Sequence, residues 1–353
     1  MPGTTFPPFP DDVATVPLLI IDYELIKTGN VKEIDTLWNA ATQIGFWYLK
    51  NHGVDEEVNK MFDMGVEMMD LPLEEKIKYD KGAETGVSAG YKALGASAID
   101  ETGARDHAEF LNIAQDDALS YPIPARRTYP GPVNARMEST IVPFIRKSAE
   151  INLTLLGVLN DRLGLPEGTL GNKHLIDRPS GSEARCIKSP PTQEILSEKA
   201  SIGAHTDFGS LSFLHNRLGG LQVLPPGTNT WKYVKLIPGH AICNIGDALA
   251  IFSAGILRSN VHRVLPPPKR QASFDRWSLV FFTRPENSVI LEPLTVSQMV
   301  KDAKASAPEG RYDTGTSAGD WFKRRVMNRR IKNRKGPETW KESQGTEHTG
   351  GLV

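Results

Sequence analysis

Cysteine is nearly missing from this 353-residue chain, which has only Cys186 and Cys243, each in a segment that reads as a strand. Two thiols exclude a disulfide framework and a cysteine-built structural zinc site. They fit reduced, buried side chains in a cytoplasmic protein. An excess of one charge is missing too. The 41 basic residues meet 42 acidic ones for a formal net charge of −1, so no overall field draws in nucleic acid or an anionic membrane. The longest apolar stretches, such as Val16 to Ile21, fall far short of the roughly 20 residues a bilayer span needs. Met1 to Pro8 lacks the basic and apolar regions of a signal peptide. A monomer is the default expectation, with a homodimer left open.

What is present is enough apolar material for a core, 39% of the chain, at a length that allows about two domains or one large β domain with helical additions. Pro17 to Asp22 reads as a short strand. Val31 to Ile44 has helical spacing, Phe46 to Leu49 is strand-like, and a second helix starts at Asp55. A third helix starts at Pro72. Gly82 to Gly103 reads as loop or edge strand, Asp116 to Pro132 as loop, and Val133 to Leu163 as one long helix ended by Gly164. Past residue 183 the texture changes to short strands between Gly and Pro turns: Ala184–Lys188, Leu211–Leu214, Gly220–Leu224, Trp231–Leu236, Ala241–Ile245 and Trp277–Thr283. That spacing points to a sandwich, barrel or jelly roll. After Pro293 the chain turns helical and then basic, from Lys323 to Lys335. Such a run is ordinarily a solvated helix face; a nucleic-acid or protein-binding surface is the competing reading.

Two histidines and an aspartate carry the chemistry. His205 and Asp207 stand in Gly-Ala-His-Thr-Asp-Phe-Gly, and His262 stands in Ser-Asn-Val-His-Arg-Val. Side chains two apart on a strand share a face, so His205 and Asp207 can reach one ion that His262 meets from another strand. Two imidazoles and a carboxylate on one face of a metal suit Fe(II), although composition leaves Zn, Mn and Co open. His52, His107, His174, His215, His240 and His348 lack such neighbourhoods and read as surface or structural histidines. Arg276 and Ser278 share a face of an apolar strand, and a buried arginine there calls for an anion. A diacid that chelates the metal and reaches Arg276 with its far carboxylate would supply one.

At these residues the chain resembles the isopenicillin N synthase-like family of Fe(II)- and 2-oxoglutarate-dependent dioxygenases. The resemblance extends to Gly219-Gly220-Leu221-Gln222-Val223, Asn244-Ile245-Gly246-Asp247 and Ser259-Asn260-Val261-His262-Arg263-Val264. N-terminal stretches such as Gly45-Phe46-Trp47, Asn51-His52-Gly53 and Leu73-Glu74-Glu75-Lys76 are also similar, so it covers about residues 16 to 300. It implies an α+β fold with a double-stranded β-helix (jelly roll) at 181–290. An N-terminal helical and strand region at 1–180 and a C-terminal helical extension at 291–353 would flank it. It also implies His205, Asp207 and His262 as iron ligands, and Arg276 and Ser278 as the hold on 2-oxoglutarate. The activity implied is oxidation of a C–H bond of a small, secondary-metabolite substrate with O2, releasing succinate and CO2, by hydroxylation, desaturation or ring closure. Asn244, Gly246 and Asp247 are read as a structural turn.

One departure stands out. Relatives carry an Asn-x-Tyr pair that helps bind the oxo-acid, and here Ile187 and Ser189 take those places. Either Ser189 contacts the co-substrate, or Arg276 and Ser278 hold it alone. An oxidase that uses no 2-oxoglutarate, with Arg276 on the substrate's own carboxylate, stays open. Tyr91, Ile187, Lys188, Phe208 and Phe252 are the candidate substrate contacts. Phe213, Leu214 and Phe281 are further candidates for an apolar wall.

Overall fold

The computed structural model describes residues 6–192 and 200–346, so His348 lies outside the described residues. Among the described residues, twelve strands form two sheets. In chain order they are β1 (Ile20–Asp22), β2 (Phe46–Lys50), β3 (Gly90–Lys92), β4 (Glu109–Ala114), β5 (Glu183–Ser189) and β6 (Ile202–His205). Then come β7 (Leu211–Asn216), β8 (Leu221–Val223), β9 (Lys232–Tyr233), β10 (His240–Ile245), β11 (His262–Val264) and β12 (Arg276–Thr283). The larger sheet runs β1-β2-β10-β7-β12-β5-β4-β3 and the smaller β6-β11-β8-β9. All pairings are antiparallel except β1 with β2.

Strand alternation sorts side chains into two layers. Trp47 and Leu49 on β2, Cys243 and Ile245 on β10, and Trp277, Leu279 and Phe281 on β12 pack with the helices Asp55–Met69 and Val142–Arg162. Their neighbours Phe46, Tyr48 and Ile242 join Leu221, Val223 and Val264 of the smaller sheet in a second cluster. Val280, Phe282 and Ile187 form a third with Ala108. The helices therefore cover one face of the larger sheet, and the smaller sheet meets the other.

Most expected elements appear, with shifted ends. Asn30 caps the helix Val31–Gln43 by accepting from the Glu33 N–H at 3.1 Å. The long helix is broken. A short helix at Gly131–Ala135 and one wide turn at Met137–Ile141 precede Val142–Arg162. Pro143 explains the break: it offers no N–H, and its ring would collide with the carbonyl four residues back in a regular helix. Gly82–Gly103 supplies the edge strand β3 and a short helix, Gly82–Thr85. β4 is a strand that the alternation reading passed over, and Trp231–Leu236 narrows to the two residues of β9. Among the described residues, no helix is long and apolar enough to cross a membrane.

Candidate metal and diacid site

His205 closes β6 and His262 opens β11, directly opposite each other in the ladder. Asp207 stands just beyond β6, where its backbone carbonyl accepts the Asp247 N–H at 2.8 Å. The two imidazole Nε2 atoms each lie 3.7 Å from Asp207 Oδ1. The three ligand atoms all fall within 4.8 Å of one another.

Hydrogen bonds fix how each group faces the centre. His205 Nδ1 meets the Gly203 carbonyl at 2.7 Å and His262 Nδ1 meets the Asn260 carbonyl at 3.1 Å. A carbonyl only accepts, so both Nδ1 atoms carry the proton and both Nε2 lone pairs point at the shared centre. Asp207 Oδ2 accepts from Ser212 Oγ at 2.5 Å and Asn244 Nδ2 at 2.8 Å, which leaves Oδ1 for the centre. Burial, then the neighbouring His262 and Arg329, push His205 well below its ordinary range and keep it neutral. Burial works against the Asp207 carboxylate, but His262, His205 and the two donors outweigh it and hold it low. A neutral imidazole at His205 and an ionised carboxylate at Asp207 are forms a divalent cation requires.

Arg276 is 2% exposed, and among the described residues no carboxylate pairs with it. Its Nε donates to the Gly219 carbonyl at 2.7 Å and its Nη1 to Ser278 Oγ at 2.6 Å. Gly220 makes room for it. At φ +108°, a Cβ there would lie 2.5 Å from the Leu265 carbonyl oxygen and 3.0 Å from Arg276 Nε. Burial pulls this guanidinium down to about 10, the sign of a cation waiting for an anion. Ser189 stands opposite Arg276 in the β5–β12 ladder, and its buried Oγ has no partner. The residues present fit a divalent metal at one end and a diacid's tail at the other.

One cavity joins the metal-type cluster to Arg276 and Ser278, with Ile187, Phe208 and Leu214 on its wall. Three sequence candidates for substrate contact drop out. Phe252 is fully buried in the helix-side core, Tyr91 is turned to donate to Glu109 at 2.5 Å, and Lys188 points to Asp275 at 3.6 Å. Phe213 and Phe281 also face the helices. Asp247 is structural, as read: fully buried, it receives Thr206 Oγ1 at 3.0 Å, Ser259 Oγ at 2.8 Å and the Arg325 guanidinium. Asn244 belongs to that turn by sequence, but its side chain serves Asp207. Its place on the inner face of β10, beside Ser212 of β7, was the signal that could have shown it. The basic segment is divided: Lys323, Arg324, Lys332 and Lys335 are exposed, as a solvated face would have them, while other members turn inward. Arg325 is buried on Asp247, Arg330 pairs with Asp80 at 2.9 Å, and Val326, Arg329 and Trp340 help line the cavity.

Comparison with known proteins agrees with this geometry. Residues 18–133 match the N-terminal model of the non-haem dioxygenases in morphine synthesis, and residues 185–285 match the 2OG-Fe(II) oxygenase superfamily. The apple (Malus domestica) leucoanthocyanidin dioxygenase is 30% identical over 79% of this chain and 77% of its own. A 2-oxoglutarate-dependent dioxygenase of Aspergillus fumigatus is 28% identical over 92% of both chains. A Neurospora crassa protein crystallised with alpha-KG and 5-formyluracil superposes with a TM-score of 0.70 at 21% identity, over 90% of this chain and 97% of its own. A Caulobacter crescentus structure of the 2OG-Fe(II) oxygenase family gives 0.70 at 21%, over 88% of this chain and 99% of its own. These last two speak for the fold alone. With its metal-type triad, its unpaired buried arginine and these relatives, the chain belongs to the Fe(II)- and 2-oxoglutarate-dependent oxygenase family, an oxidoreductase that uses Fe(II), 2-oxoglutarate and O2.

Proposed function

We propose that this oxygenase oxidises a C–H bond of a small, secondary-metabolite molecule, by hydroxylation, desaturation or ring closure. His205, Asp207 and His262 hold Fe(II), and Arg276 with Ser278 holds the distal carboxylate of 2-oxoglutarate. The single observation that carries this reading is one cavity wall with a three-donor cluster and a buried guanidinium lacking any acid partner among the described residues. We read the two sheets as a double-stranded β-helix spanning 181–290, with the flanking parts at 1–180 and 291–353.

Bound there, Fe(II) with 2-oxoglutarate and O2 supplies the oxidant, and succinate and CO2 leave. The chain's own work is positioning. The Gly203 and Asn260 carbonyls hold both imidazoles in the Nε2-accepting tautomer, while Ser212 and Asn244 turn Asp207 Oδ1 inward. Arg276 offers guanidinium donors to a carboxylate, braced by Ser278, whose Oγ accepts from Nη1 and donates to Asn216 Oδ1, and Ser189 Oγ is placed to add one more donor. That would compensate for the absence of the relatives' Asn-x-Tyr pair. Ile187, Phe208 and Leu214 exclude water from the reacting C–H bond.

The test is succinate formed per O2 consumed, with Fe(II) and a metabolite pool, with and without 2-oxoglutarate. Succinate that needs 2-oxoglutarate and disappears in Asp207→Ala supports the reading. Substrate turnover without succinate would put Arg276 on the substrate's own carboxylate, and undiminished turnover in Asp207→Ala would overturn the metal assignment.

A further inference from the structure

Cations crowd the cavity beyond what the metal and co-substrate account for. Arg276 stands at one end of β12, and Arg284, just past its other end, falls on the same inner face. Arg185 of β5 reaches the same wall from the strand next door. Among the described residues, Arg185 and Arg284 share a single carboxylate. Glu183, 2% exposed, receives Arg185 Nη2 at 2.8 Å and Arg284 Nη2 at 3.4 Å. Both guanidiniums lie on the Phe282 ring, 4.9 and 4.8 Å from its centroid. Arg284 is 5% exposed, and its buried Nε has no hydrogen-bond partner.

Charge balance then says something about the substrate, given the reading proposed above. The ion's double charge and Arg276 are met by Asp207 and the two carboxylates of 2-oxoglutarate. Elsewhere on the wall, Arg330 is matched by Asp80 and Asp106 by Lys92, and Arg329 brings a further guanidinium beside His205. The Arg185–Glu183–Arg284 group keeps one positive charge in a site lined by Phe110, Val280 and Phe282. A buried surplus charge is costly until an anion meets it. A carboxylate on the substrate would meet it and match the planar guanidinium fork.

We propose that the substrate is a carboxylic acid with an apolar or aromatic body, its carboxylate held by Arg185 and Arg284 at the end of the cavity away from Arg276. The inference rests on the oxygenase reading, and its test separates the two. The full chain is loaded with Mn(II) and saturating 2-oxoglutarate, then titrated calorimetrically with phenylacetate, cinnamate and octanoate and with their primary amides. At least one acid should bind about tenfold or more tightly than its amide, the weight of one charge-assisted contact. Arg185→Gln should erase that preference and Arg185→Lys should keep part of it. No acid-over-amide preference anywhere in the panel overturns the proposal, as does a preference that survives Arg185→Gln. Failure of 2-oxoglutarate itself to bind the Mn(II) protein would instead overturn the reading beneath it.

Discussion

The two faces of the larger sheet are made by the same strands and differ in almost every physical respect. On β12, Trp277, Leu279 and Phe281 turn to the helices and join the main apolar core. One residue away, the inner face is mixed: Arg276, Ser278 and the following Arg284 are polar, and Val280 and Phe282 stand between them. β10 repeats the contrast with Cys243 and Ile245 against Asn244, and β7 with Leu211 and Phe213 against Ser212. The helix face contributes cohesion. The inner face holds charges whose desolvation is offset only when ligands arrive, so it lowers the stability of the ligand-free protein in exchange for binding.

That contrast can be broken from either side. Phe281→Ala on the helix face should cost about 3–5 kcal/mol in denaturant unfolding, the usual loss for a buried phenylalanine, with 2-oxoglutarate affinity of the folded protein unchanged. A change in that affinity would mean the faces are not independent. Arg276→Met should do the reverse. Calorimetry should show 2-oxoglutarate affinity weakened by about 2–5 kcal/mol, and thermal unfolding should show a more stable ligand-free protein. A less stable protein would mean that the bonds to Gly219 and Ser278 matter more than the unmet charge.

The next test falls between the faces. His174, on the helix side, places Nε2 2.6 Å from Ser210 Oγ at the start of the inner polar row. Burial pushes it down to about 4, from an ordinary 6.5. The unfolded chain therefore takes up the proton first, and stability complete above pH 6.5 is lost as pH falls to about 4. The loss is about 3 kcal/mol, readable from denaturant midpoints across that window. His174→Gln should flatten it. The smallest effect is expected for Asn244→Ala. It should weaken metal affinity by about 10- to 100-fold with the fold intact, because Asp207 keeps Ser212 but loses its second orienting donor.

The metal-type cluster was legible because it sits in short, dense motifs, His205 and Asp207 two apart and His262 between Asn260 and Val264, and Arg276 two before Ser278 marked the residues we propose for 2-oxoglutarate. Strand alternation even gave the shared face of Arg276 and Ser278. The substrate side was not legible. Tyr91, Lys188 and Phe252 looked plausible by neighbourhood, yet one was turned to Glu109, one to Asp275 and one to the core. Arg185 and Arg284 carried no motif, and the basic run from Lys323 read as a solvated face, which holds for Lys323, Arg324, Lys332 and Lys335 but not for Arg325 and Arg330, buried in ion pairs.

The sequence alone determined which chemistry this protein carries, because ligand types at strand spacing restrict the metal and its diacid partner wherever the strands lie. Tertiary structure decided which way each remaining side chain faces: whether an arginine meets an acid, shares one, or waits for one. That depends on contacts between residues far apart in the chain, such as Arg325 with Asp247 and Arg185 with Arg284 across Glu183, and no local pattern encodes those pairings.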